Sequence, residues 1–219
     1  MASDNAVVFV GPTAFGLAPD LLHQPGVSIR PPARRGDIDA LLPGGPGTVA
    51  VVDGTFHSYP AVGHAELRRA VECGWSVWGL SSMGAIRAAE MNHLGVHGFG
   101  EVYERFASPE PFDDDEVALL HAAEAPFRPM SEPLIHIRGC LSNLTQRGHL
   151  TSSNAAAVLN TLKTKWYADR TLRALRQALI DVGMVRSEVV DVEINQFQQY
   201  RSKTTDLIRF LQAKPWQSG

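Results

Sequence analysis

The chain has 219 residues, 44% hydrophobic and 20% charged, enough to bury the core of one soluble globular unit or of one main domain with a helical appendage. Its 20 Lys and Arg against 23 Asp and Glu leave a formal charge of −3, which excludes a bulk basic field for nucleic acid or an anionic membrane. Two cysteines, Cys73 and Cys140, stand far apart without CxxC or Cys/His spacing; this excludes a disulfide scaffold or structural zinc, and both read as buried thiols.

The start MASDNAVVFVG has no basic stretch leading into a long apolar one, and no run approaches the ~18 apolar residues of a membrane span, so a cytoplasmic protein is expected. Residues 6–10, AVVFV, form a continuous apolar run bounded by Gly11-Pro12, the pattern of a strand buried on both faces. Residues 47–54, GTVAVVDG, and 75–81, WSVWGLS, repeat it. Between them, residues 61–74 place Leu67, Ala70 and Val71 on one stripe and stop at Gly74, as an amphipathic helix does. Another helix is expected from Gly84 to Leu94, closing at Gly95. Strands alternating with helices predict an α/β fold: a largely parallel N-terminal sheet with flanking helices.

Near residue 125 the strand-like runs end, and Pro126, Pro129 and Pro133 mark a joint. An α/β core over residues 1–125 and a helical region over 126–219 are therefore expected. Helices are predicted over residues 134–146, 151–165, 171–182 and about 187–213, forming an α-helical C-terminal half. The cluster Asp113-Asp114-Asp115-Glu116 reads as a solvated loop or a helix N-terminus.

The most informative stretch is GLSSMGAIRAAE, residues 79–90, where a buried-looking strand ends on two serines and a helix begins with Met-Gly-Ala. In a parallel α/β sheet, ligands gather where strand C-termini meet helix N-termini, and Ser82 stands at such a junction. The N–H groups of the following turn, near Met83 and Gly84, offer donors for developing negative charge. Ser82 can act as a nucleophile there, as in the elbow of α/β hydrolases, or simply cap the helix; GxSxG itself is incomplete because Leu80 replaces its first glycine. A nucleophilic serine needs a proton acceptor, and His57, His64, His93, His121 and the lysines of the helical half are the candidates. A lysine serves only where apolar surroundings or a neighbouring cation lower its pKa. Lys163 and Lys165, flanked by Leu162, Trp166 and Tyr167, meet that condition in sequence, and both also read as solvated helix lysines.

Several stretches, taken in order, resemble the TfuA family, partners of YcaO enzymes in peptide-backbone thioamidation. They are VFVGPTA (8–14), PPARRGD (31–37), VVDGTF (51–56), HAEL (64–67), SSMGAIRAAEM (81–91), DDDEVALLH (113–121), SEPLIHIR (131–138) and LKTKWYADRT (162–171). The resemblance implies release of sulfur from a thiocarboxylated carrier of the ThiS type through a Ser-Lys pair, for a YcaO partner that acts on a peptide substrate. Carried onto this chain, the serine is Ser82 and the lysine is best matched by Lys163, with Lys165 two residues away as the alternative. No cofactor or metal is implied, and neither a phosphate loop nor an H-E-x-x-H is present.

The remaining polar positions have supporting readings. Gly11 and Asp53-Gly54 fall on the same layer of strand tips as Ser82, where Asp53 can orient a base, bind the carrier tail or cap a turn. Arg34 and Arg35 can receive a carboxylate tail or lie in a solvated loop. His64 opens the helix after the second run, and Arg87 with Glu90, at i and i+3, reads as a structural ion pair. The competing functions are a non-catalytic adaptor that binds YcaO and promotes its peptide binding, and a small-molecule serine hydrolase or nucleotide-sensing domain.

Overall fold

In the computed structural model, which describes residues 5–55, 59–110, 112–183 and 186–217, the chain forms two compact units. The first takes the residues up to Phe112, Glu124–Phe127 and the residues from Lys203 onward; the second takes Asp113–Ala123 and Arg128–Ser202. This differs from a single boundary at 125, because the last long helix joins the sheet instead of the helical half.

The first unit is an α/β layer built on five parallel strands: β1 (Ala6–Phe9), β2 (Val27–Arg30), β3 (Thr48–Val51), β4 (Ser76–Leu80) and β5 (Val96–Phe99). Their order is β2-β1-β3-β4-β5, with Val7, Val49, Val77 and Val96 in one register row across four strands. The three central strands are the apolar runs of the sequence. The edge strands VSIR and VHGF carry no such run, because each has one neighbour and keeps part of its length in water.

Side chains alternate along a strand, so the two faces of the sheet build separate cores. Phe9, Val49, Val51 and Val77 point to one face, against Leu67 and Ala70 of α2 (His64–Glu72) and Met83, Ala88 and Met91 of α3 (Met83–Met91). Val8, Ala50, Val52 and Leu80 point to the other, against Leu207, Phe210 and Leu211 of the helix Ser202–Ala213. The short helices Pro19–Leu22 and Glu101–Ala107 complete this unit. α3 runs close to the sheet because of two glycines: a Cβ on Gly84 would lie 1.7 Å from the Val51 carbonyl oxygen, and one on Gly79 would lie 2.1 Å from that of Gly84.

The second unit is helical, with Leu134–Gln146, Ser152–Lys163, Leu172–Asp181 and Ser187–Asn195 around a core that includes Leu134, Ile137, Leu144, Leu162, Leu175, Leu179 and Phe197. Counting through the chain, the helices are α1 (Pro19–Leu22), α2, α3, α4 (Glu101–Ala107), α5 (Leu134–Gln146), α6 (Ser152–Lys163), α7 (Leu172–Asp181), α8 (Ser187–Asn195) and α9 (Ser202–Ala213). The long helix expected over 187–213 is thus broken into α8, a 3-10 turn at Phe197–Tyr200, and α9.

Cys140 is buried in the helical core, and burial pushes its thiol up to about 12. Cys73 is exposed, contrary to the expectation of two buried thiols, because it follows the last turn of α2 beyond the apolar stripe.

Candidate functional site

Ser81 and Ser82 join β4 to α3. Ser81 is held at φ 61°, a left-handed conformation unusual for a residue with a side chain, and the Ser82 N–H donates to the Leu80 carbonyl at 2.7 Å, closing a γ-turn centred on Ser81. This is the strained strand-to-helix turn expected of a nucleophile elbow, with the strain on Ser81 and not on Ser82. Ser81 is fully buried, and its hydroxyl donates to the Lys203 carbonyl of α9 at 2.9 Å. Ser82 is 4% exposed and its side chain makes no capping hydrogen bond to α3, so its hydroxyl is not committed to the cap.

The groups expected to hold an oxyanion are only partly available. The Gly84 N–H donates to the Val52 carbonyl at 3.3 Å, because the carbonyl at the tip of β3 needs a donor and α3 lies against it. The Gly11 N–H and the Thr13 N–H donate to Asp53 Oδ2 at 2.8 and 3.0 Å, and the Thr13 hydroxyl donates to Oδ1 at 2.7 Å. Asp53 therefore organises the loop after β1 and does not face a substrate. In a doubly wound sheet of this strand order, the reversal point between β1 and β3 is where phosphate ligands collect. Here a carboxylate occupies those donors, which argues against nucleotide sensing. Met83, the first residue of α3, has a backbone N–H without an acceptor among the described residues.

Other expected participants have structural partners. Arg34 lies over the Tyr59 ring at 3.9 Å while its N–H donates to Asp37 at 2.8 Å, and Arg35 Nε reaches the Ala61 carbonyl at 3.4 Å. Arg87 and His64 converge on Glu90, each at 2.7 Å. Partial burial works to raise the Glu90 carboxyl, but the hydrogen bonds from Arg87 and His64 prevail and hold it below its usual value. His93 is exposed, His121 belongs to the second unit, and His57 lies outside the described residues.

Lys163 does not meet the condition set for a base. It lies in the second unit at the end of α6, its side chain 43% exposed, with Nζ donating to Asp113 at 2.7 Å. That hydrogen bond holds the Lys163 ammonium above the ordinary lysine value, the opposite of what general-base work requires. Lys165 is exposed beyond the end of α6. The acidic cluster forms a 3-10 turn, Asp114–Val117, tied down by cations: Lys163 on Asp113, Arg170 on Asp115 at 2.6 Å, and Arg138 on Glu116 through two hydrogen bonds of 2.8 and 2.6 Å. DDDEVALLH and LKTKWYADRT are thus partners of each other within one unit.

The lysine that does lie beside the serine turn is Lys203, in the first turn of α9 and 1% exposed. Its place was readable: Lys203, Leu207, Phe210 and Leu211 share the i, i+4, i+7, i+8 stripe that α9 turns to the sheet. α9 is also bound to other strand tips. Thr204 donates to the Thr13 carbonyl at 2.9 Å, and the Asp206 carboxylate accepts from the N–H groups of Glu101 and Val102 at 2.9 and 3.0 Å, at the start of α4.

Burial raises the Asp206 carboxyl to about 6 despite those two donors. The folded state therefore holds this proton more tightly than the unfolded chain, and the stabilisation is present below about pH 4 and lost as pH rises through about 6. Asp206→Asn removes the titration. In urea unfolding, the wild type is expected to lose about 2 kcal/mol relative to this variant between pH 4.5 and pH 7.5; parallel pH profiles would contradict it.

Among the described residues, no group of three or more His, Cys, Asp or Glu side chains is placed to hold a metal ion, and no helix is long and apolar enough to cross a membrane. No curated protein matches the chain. The family model for TfuA-like proteins matches residues 53–171, more than half of the sequence, including Ser82, Met83, Gly84, Arg87 and Lys163 but not α9. With its five-stranded parallel sheet, its serine turn and its helical second unit, the chain belongs to the TfuA-like family.

Proposed function

We propose that this protein is a hydrolase that frees sulfur from a thiocarboxylated carrier protein of the ThiS type, for a YcaO enzyme that thioamidates a peptide backbone. The observation that carries the reading is the turn at Ser82: a hydroxyl outside the helix cap, preceded by a strained Ser81 and followed by the Met83 N–H, which lacks an acceptor among the described residues. We assign Lys203 in place of Lys163 as the amine that takes the serine proton. A lysine shielded from water is more easily held as the neutral amine than one in solvent, and Lys203 is tied to the turn through Ser81.

In this reading the Ser82 oxygen attacks the thiocarboxylate carbon while the amine takes its proton. The Met83 N–H faces the oxyanion of the tetrahedral intermediate. The C–S bond then breaks, and the proton leaves with sulfur as hydrosulfide, giving a carrier-acyl ester on Ser82. Water, deprotonated by the same amine, hydrolyses the ester to the carrier carboxylate and restores the serine hydroxyl. The activation of the peptide amide belongs to the YcaO partner.

The low exposure of Ser82 favours a second reading, in which the turn is structural and the chain is an adaptor that promotes peptide binding by YcaO. Purified protein incubated with thiocarboxylated carrier separates the two. Hydrosulfide release well above the spontaneous rate supports the hydrolase. Release at background, with peptide binding by YcaO still tightened, overturns it.

A further inference from the structure

The second unit carries a surface cleft of about 390 Å³ between the end of α6 and α7. Lys165 and Arg173 line it, with Thr171, Gln177 and Asp181, and the methyl groups of Ala174 and Ala178 contribute apolar surface. Elsewhere in this unit basic side chains are matched: Lys163 with Asp113, Arg138 with Glu116, Arg147 with Glu193, Arg170 with Asp115, Arg176 with Asp191 and Arg201 with Glu132. Lys165 and Arg173 both lie on the cleft, both are exposed, and neither takes an acidic side chain among the described residues. Asp181, the acidic member of the cleft, receives the Gln177 side chain at 2.7 Å. Two cations left without a counter-ion on a concave surface are poised for an external anion.

We infer that this cleft binds an acidic polypeptide segment, independently of the serine chemistry. Three features favour a peptide over a phosphate or nucleic acid. The cleft is much larger than one phosphate group. Asp181 would repel a phosphate backbone, whereas it accepts hydrogen bonds from peptide N–H groups. The chain's formal charge of −3 provides no wider basic field for a polyanion. Beside Lys165 in sequence, Trp166 is 63% exposed and packs edge-on against Tyr167 at 5.2 Å, an indole face offered to an apolar side chain flanking the acidic ones.

The test is fluorescence anisotropy with a short fluorescein-labelled peptide of alternating aspartate and glycine, with inorganic tripolyphosphate and oligothymidylate as competitors. Saturable binding is expected, weakened about tenfold or more by Lys165→Glu or by Arg173→Glu and suppressed by ~0.5 M salt. Both positions are exposed, so circular dichroism of the variants should match the wild type. Three results would overturn the inference: no saturable binding, unchanged binding by the double variant, or tighter capture of oligothymidylate or tripolyphosphate than of the peptide.

Discussion

Ser82→Ala is expected to lower hydrosulfide release from thiocarboxylated carrier by at least about 10³-fold, because removing a serine nucleophile leaves only binding and oxyanion stabilisation. Its thermal midpoint should stay within a few degrees of the wild type, since the Ser82 side chain holds no capping hydrogen bond. The lysines should divide. Lys203→Met, close in volume and apolar, removes the proposed proton acceptor and should approach the Ser82→Ala rate. Lys163→Ala breaks one exposed ion pair with Asp113 and should leave release within about twofold. The reverse result, silence in Lys163→Ala and full activity in Lys203→Met, would return the proton to the lysine that the family resemblance selects. Equal and full activity in Ser82→Ala would end the covalent mechanism altogether.

Arg170→Met should produce the largest loss of stability in the second unit. The guanidinium is 2% exposed and donates to the carbonyls of Leu162, Lys163, Lys165 and Asp115 as well as to the Asp115 carboxylate. Three of those carbonyls cluster at the C-terminal end of α6, where unsatisfied oxygens and the negative end of the helix dipole collect. Truncation leaves them without a donor, at a cost of about 3 kcal/mol, Asp115 being exposed enough to regain water. A drop of about 10 °C in the melting temperature is expected. Arg170→Lys should recover little, because one ammonium cannot reach acceptors that a flat fork spans. A melting temperature within 2 °C of the wild type would refute the assignment of Arg170 as the clamp of this unit.

The sequence disclosed the central sheet because strands buried on both faces must be apolar throughout: AVVF, TVAV and SVWGL stand out without any partner in view. The edge strands were silent for the complementary reason, and VSIR alternates half-buried and exposed side chains over only four residues. Ser82 was legible because small residues after an apolar run announce a tight strand-to-helix turn. Which serine bears the strain was not, since φ is fixed by how closely α3 packs on β3 and β4 and not by residue type. The lysines show the sharper limit. Lys163 is surrounded by Leu162, Trp166 and Tyr167 in sequence, yet Trp166 lies in solvent and the acidic turn claims the ammonium. Neighbours along the chain do not measure dielectric. Lys203 carried a better signal, a charge on an otherwise apolar helical stripe, but only the fold places that stripe over the tips of β1 and β4.

The return of α9 to the sheet has a consequence during synthesis. A nascent chain emerging from the ribosome displays Val8, Ala50, Val52 and Leu80 long before Leu207, Phe210 and Leu211 are translated to cover them. At roughly 5–20 residues per second, the uncovered face waits some ten seconds or more for its lid. Chains stalled before codon 203 should therefore recruit chaperones that recognise apolar β-surface, and would acquire neither the lysine nor the hydrogen bond that steadies Ser81.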